Sequence, residues 1–299
     1  MSEPGQPTLD QLRVFAAVCE AGSFSAAARN LRRAQSAVSY AVANLEELLG
    51  LALFERGHRK AVLTEAGRAV LSDARLVGRL VDDLRARASG LTAGLEAEIG
   101  LVVDVMYPTD TLVALLDAFS RAFPTVALRL RIEALGAVVA LVLDRSCRLG
   151  ISGPMGIRAE EVVRQQMSQI ELIPVCAPTH PLARLPCPPP NSAWHEHIQL
   201  VLTDRSTLTE GQDFGVVSPR TWRLGDLGAK HALLRAGLGW GRMPAHMVAD
   251  DLQTGRLVRI VPNEPGVRFP LHLIHRADTQ PGPATRWLME RLLAPPEVA

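Results

Sequence analysis

The sequence predicts an α/β protein that carries a small helical head at its amino terminus. Three observations predict it. Residues 23–50 read as a short helix, a tight turn and a second helix. Behind them, up to about residue 93, an apolar seam repeats at alternating steps of four and three, the spacing of a long helix. From residue 95 onward, short apolar runs alternate with helical stretches, which argues for a mostly parallel sheet.

Bulk properties allow this and little more. A chain of 299 residues can hold two or three domains, and 47% hydrophobic with 21% charged residues is ordinary for a globular protein. The net charge of +1 gives no sign of a polyanion partner across the whole chain, so any such sign must be local. The four cysteines are scattered without a CxxC. No basic-then-apolar leader opens the sequence and no run is long and apolar enough to span a bilayer, so the expectation is a reduced, cytoplasmic protein with no membrane partner.

Taken in order, residues 8–21 form the first helix, with Thr8 or Asp10 as cap, Leu9, Leu12, Phe15, Ala16 and Cys19 as apolar stripe, and Gly22 as breaker. Ser23 can cap a second helix bearing Phe24, Ala27, Ala28 and Leu31. On the third helix Val38, Val42, Leu45 and Leu49 share one face. Ser36, Tyr40, Ala43 and Glu47 lie opposite, with Gln35 and Ser39 near the first turn. Arg29, Arg32 and Arg33 precede this helix, and no acid follows them until Glu46. An apolar back, a small polar front and flanking arginines suit a helix laid into the DNA major groove, and an ordinary surface helix shares the pattern.

Residues 53–56 and 61–63 are short apolar runs around Gly57-His58-Arg59-Lys60, a hairpin with a basic tip. Beside a helix-turn-helix it is a wing able to reach phosphate or the minor groove with Arg56, Arg59 or Lys60. The long helix follows, with Val70, Ala74, Val77, Val81, Leu84, Ala88 and Leu91 as its seam. With no partner helix in its own segment, the seam implies a second copy of the chain. A dimer would offer two reading helices to two half-sites of one duplex.

The runs LDQLRVFAAVCEAGSFSAAARNL, QSAVSYAVANLEELLG and LFER…LTEAG, ordered and ungapped over residues 9–67, resemble the LysR-type transcriptional regulators. The resemblance implies a winged helix-turn-helix domain over 8–67 and a linker and dimerisation helix over 68–94. It also implies a periplasmic-binding-protein-like effector domain over 95–299, with one subdomain at about 95–167 plus 270–299 and the other at about 168–269. Two positions depart from the family. Ala34 stands where a capping Ser is usual, and Tyr40 where many members have Arg. The expected DNA-contacting set is Ser23, Arg32, Arg33, Gln35, Ser36, Ser39, Tyr40, Arg56, Arg59 and Lys60.

In the remaining two thirds, strands are expected at 99–105, 126–132, 149–152, 170–177, 200–202, 221–224, within 237–244, and at 271–275. Helices are expected at 109–122, 136–143, 227–236 and 283–294, and a proline-rich loop follows residue 178. The stretches VCAPTHPLA and AGLGWGRMP resemble effector-domain signatures of the same family more weakly. In open α/β sheets a ligand lies at the carboxyl ends of strands beside helix starts. By position the candidates are Met106, Tyr107, Thr109, Gly136, Ser152 and Gly153 on one side, and Thr203, Asp204, Trp240 and Arg242 on the other. Thr109 also has the position of a helix cap. Arg242 stands where related sequences usually place an apolar residue, and needs an anionic partner if buried. Asp226, Asp204 and an acidic effector each fit.

Enzyme chemistry finds no support in the sequence. There is no HExxH, GxSxG, P-loop or GxGxxG after a strand, and His272 and His275 fall on opposite faces of a strand. Gly237, Gly239 and Gly241 suit close backbone packing. A redox switch through Cys176 and Cys187 is a second alternative, though nothing near Cys176 obviously lowers a thiol pKa. The reading is a non-enzymatic regulator without cofactor, binding double-stranded DNA as a homodimer or homotetramer. A small effector biases it, and RNA polymerase is a partner if it activates.

Overall fold

Thr8 opens helix α1 (Leu9–Ala21) with a reciprocal cap: its Oγ1 accepts the Gln11 N–H, and the Gln11 side chain accepts the Thr8 N–H at 2.8 Å. Gly22, at φ +70°, ends the helix. The computed structural model describes residues 6–55, 60–153, 160–186, 188–261 and 265–294. The chain forms two compact units, 1–92 and 93–299, each with its own core.

In the first unit, Ser23 caps α2 (Phe24–Leu31) by accepting the Ala26 N–H. The chain reverses at Arg32, φ 53°, and α3 (Gln35–Leu49) begins at Ala34 with no side-chain cap. Val14, Phe15, Val18, Ala27, Val38, Val42 and Leu45 form the core, with Phe15 and Phe24 packed edge-on against Phe54. The Glu46 carboxylate accepts the N–H groups of Leu53 and Phe54 at 2.6 and 3.1 Å, tying α3 to the hairpin, whose strands meet at Phe54 and Leu63. The hairpin tip, with Arg56 and Arg59, lies outside the described residues.

Helix α4 (Glu65–Thr92) starts where Gly67 passes the Leu53 carbonyl so closely that a Cβ would lie 2.1 Å from its oxygen. The expected seam divides. Val70 and Ala74, with Leu71, pack into the head itself, so this part of α4 does have a partner in its own segment. Beyond it Val77, Leu80, Leu84 and Leu91 are exposed, Leu84 at 62%.

The second unit holds β1 (Glu98–Asp104), α5 (Thr109–Ala122), β2 (Ala127–Glu133), α6 (Gly136–Leu143), β3 (Leu149–Ser152) and β4 (Val162–Cys176). It continues with α7 (Asn191–Glu196), β5 (Gln199–Leu202), β6 (Thr221–Leu224), α8 (Leu227–Arg235), β7 (Trp240–Pro244), α9 (Ala249–Gln253), β8 (Val258–Arg259), β9 (Val267–Arg276) and α10 (Pro283–Leu293). The sheet order is β2-β1-β3-β9-β4-β7-β5-β6, with β8 beside β4. The sheet is mixed rather than mostly parallel. Two parallel sets, β2-β1-β3 and β7-β5-β6, are joined through the antiparallel pair β4 and β9. β4 begins at Val162, not near residue 170, because it pairs with β9 as far as Arg276 across a register irregularity between Gln166 and Ser168.

Candidate functional site

The first site is the front of α3. Burying Val38, Val42 and Leu45 turns Gln35, Ser36, Ser39 and Tyr40 outward, and Tyr40 is 73% exposed. Arg32 is exposed at the turn and Lys60 beyond the hairpin tip. Two expected contacts already have duties. The Ser23 hydroxyl caps α2, and Arg33 makes two 2.8 Å bonds to the Asp10 carboxylate, whose pKa this guanidinium lowers. Arg33 is thereby oriented rather than freely swinging.

The second site lies in the larger unit. A cavity of about 390 Å³ opens between the end of β1 and the β5–β7 strands. Met106 and Leu135 face it from one side, Leu200, Leu202, Phe214 and Phe269 line it elsewhere, and Lys230 and Arg242 supply its cations. Of the candidates named from sequence, Met106 and Arg242 line it directly. Thr203 and Asp204 line an adjoining open depression, and Trp240 a second cavity of about 270 Å³ that shares Arg242. Tyr107 and Gly136 are buried, Gly153 packs against the Asp104 carboxylate, and the Ser152 side chain is buried beside it.

Three expectations change. Thr109 is not the cap of α5: Pro108 takes that position, and Thr109 is the first helical residue and exposed. Asp226 is not the partner of Arg242, because its carboxylate caps α8 by accepting the Ala229 N–H. Asp204 is not either. It accepts the Ala137 N–H at 2.8 Å, at the start of α6, and the Thr209 hydroxyl. Among the described residues no carboxylate pairs with the Arg242 guanidinium, which extends toward Gly215.

Lys230 was missed by the sequence reading. Its ammonium is buried, 5% exposed, and donates to the Arg242 main-chain carbonyl at 2.8 Å. Burial, with the Arg242 charge added, pushes its pKa down to about 8. A signal was available, since Lys230 falls between Leu227 and Leu234 on the apolar stripe of α8, where a lysine is out of place. The glycines of β7 make room for it: a Cβ on Gly241 would lie 3.0 Å from Lys230 Cε and 2.9 Å from the Leu200 oxygen. Cys176 is buried, and burial pushes its thiol up to about 12, away from the reactive thiolate; Cys187 lies outside the described residues.

Comparisons with known proteins agree with this layout. A family model described as the LysR substrate binding domain matches residues 92–295, and one for the bacterial regulatory helix-turn-helix protein, lysR family, matches residues 9–68. The HTH-type transcriptional regulator PunR of Escherichia coli (strain K12) is 31% identical over 287 residues, 94% of this chain and 91% of PunR. The probable HTH-type transcriptional regulator YhaJ of the same strain is 28% identical over 288 residues, 95% of each chain. Among solved structures, a mutant of Corynebacterium glutamicum OxyR aligns with TM-score 0.53 at 22% identity, covering 98% of this chain and 94% of that one. Full-length LysG from Corynebacterium glutamicum with bound effector Arg aligns with TM-score 0.51 at 19% identity, covering 96% and 97%. At these identities the structures share the fold.

Proposed function

Because the chain belongs to the LysR family of bacterial helix-turn-helix regulators, we propose that α3 reads an operator in the major groove while the cavity of the larger unit takes the effector. The observation that carries the first half is Tyr40, projecting from a helix whose opposite face is locked into the core. Gln35, Ser36 and Ser39 share its front and reach base edges. Arg32 and Lys60 lie where phosphates run, and Arg33, held by Asp10, presents a fixed charge. Arg56 and Arg59 belong to the same phosphate-contacting set.

The protein acts in the cytoplasm as a dimer through the exposed stretch of α4, or as a tetramer of two such dimers, performs no catalysis, and touches RNA polymerase only if it activates. The effector acts by binding one geometry of the assembly on DNA better than another; equal affinity for both would switch nothing.

A labelled duplex from the region upstream of its own gene, titrated over a salt series, tests the reading. Tyr40→Ala is expected to cost about 1–3 kcal/mol and to change base preference, whereas Lys60→Ala weakens binding evenly and lowers the salt slope by about one unit. Equal affinity of the wild type for this duplex and for random DNA at all salts overturns it.

A further inference from the structure

We propose that the effector is a small monocarboxylate with an apolar body, its carboxylate seated on Lys230 and Arg242. The inference rests on the effector reading above and adds the chemical class and the residue that sequence did not single out.

Two cations line one largely apolar cavity, and among the described residues neither has a carboxylate partner. Among the described residues the buried Lys230 ammonium makes a single hydrogen bond, to a main-chain carbonyl, although it has three donors. A buried charge so poorly compensated costs stability, and an anion arriving from solvent removes that cost. The other polar groups of the wall are occupied. The Gln199 amide donates to the Gly215 carbonyl and accepts from Val217 and Ser218, and Asp213 pairs with Arg223.

The alternative seat, the amino terminus of α6, is filled by the protein's own Asp204, at 2.8 Å from the Ala137 N–H. An anion in this cavity is therefore left with the two cations. A planar, two-oxygen group matches one ammonium and one guanidinium, whereas a phosphate would need donors that the wall does not have free. Met106, Leu135, Leu200, Phe214 and Phe269 leave the rest of the space to hydrocarbon.

The test is thermal unfolding and calorimetric titration of the full chain with hexanoate and 3-phenylpropanoate, against their neutral amides and inorganic phosphate. The carboxylates are expected to raise the melting temperature and the amides and phosphate not to. Lys230→Met and Arg242→Gln are each expected to weaken carboxylate binding by about tenfold to a hundredfold. Lys230→Met should unfold no lower than the wild type, since it removes a buried charge, which separates lost binding from lost folding. If no carboxylate binds at millimolar concentration, or both variants bind as the wild type does, the proposal is overturned. Operator binding is measured on the same samples: full DNA affinity beside absent carboxylate binding removes this inference and leaves the regulator reading standing.

Discussion

The Asp204 carboxylate sits 2.8 Å from the main-chain N–H of Ala137, sixty-seven positions away, and caps the start of α6. A helix start left by its neighbours without a cap, following Leu135 at φ 52°, thus gets its acceptor from the loop after β5. The bond spans the two parallel sets of strands. Asp204→Ala is expected to lower the stability of the larger unit by about 1–2 kcal/mol, and Asp204→Asn, which keeps an acceptor oxygen, by less. Urea unfolding of the three proteins checks this, and identical midpoints would show that the clasp carries no weight.

The pKa of Lys230, depressed from 10.5 to about 8, gives a signed pH dependence. Between those values the unfolded chain holds a proton that the folded chain has lost, so stability rises with pH there. Below about 8 the cost of the buried charge is fully present. Charged groups on the surrounding elements are Arg242 on β7, Arg223 on β6 with Asp213, and Arg164 and Glu171 on β4, Glu171 being bonded to the Gly266 N–H and paired with Arg259; α8 itself adds Asp226, His231 and Arg235, and β5 carries none. Carboxylate affinity is therefore expected to be flat below pH 8 and to fall by up to about tenfold per unit above it. Titrations from pH 6.5 to about 9.5 read this out, and Lys230→Met should flatten the curve.

Asp104 shows the opposite sign. Burial outweighs the N–H bond from Met106 and pushes its pKa from 3.8 up to about 6. Between those values the folded state holds a proton that the unfolded state lacks, so this group makes stability fall as pH rises from about 4 to 6, and the loss is complete above. In Asp104→Asn that component of the slope should vanish. Unfolding midpoints at several pH values between 4 and 7 compare the two proteins, and parallel curves would exclude a titrating Asp104.

Ala34 begins α3 without a side-chain acceptor. Ala34→Ser is expected to stabilise the head by about 0.5–1 kcal/mol, because a hydroxyl there reaches the N–H two or three residues on. The check is denaturant unfolding of residues 1–92 within the full chain, followed by the circular dichroism of its helices. An unchanged or lower midpoint would mean that the turn at Arg32 holds the cap out of reach.

Elements with one clean period and clear ends were legible in the sequence. Helices α5 and α6 and strands β3 and β6 begin and end where apolar spacing and flanking Pro, Gly or Asp place them. So does the front of α3, because a helix that buries Val38, Val42 and Leu45 must turn Tyr40 out. The first half of β4 was not legible. Val162–Met167 is neither strictly alternating nor continuously apolar, and only pairing with β9 makes it a strand. Contacts between distant residues were also out of reach: nothing local marks Asp204 as the cap of Ala137. The rule that a buried Arg needs a carboxylate pointed to Asp204 and Asp226, but Arg242 is only half-buried and each of the two carboxylates has its own helix start to serve.

Helix α4 is built from two unequal parts. Its first turns are held by the head through Val70, Leu71 and Ala74, while Leu80, Leu84 and Leu91 lie open to water. An isolated helix of that length is marginal, and whatever covers those leucines enters its stability through mass action. If a second copy of the chain covers them, as proposed above, the order of this segment becomes a function of protein concentration. With the proposed second copy as that cover, dilution would fray the segment before it touches either core, and a duplex with two half-sites would raise the local concentration of one copy beside another, so that DNA itself would help to complete the helix.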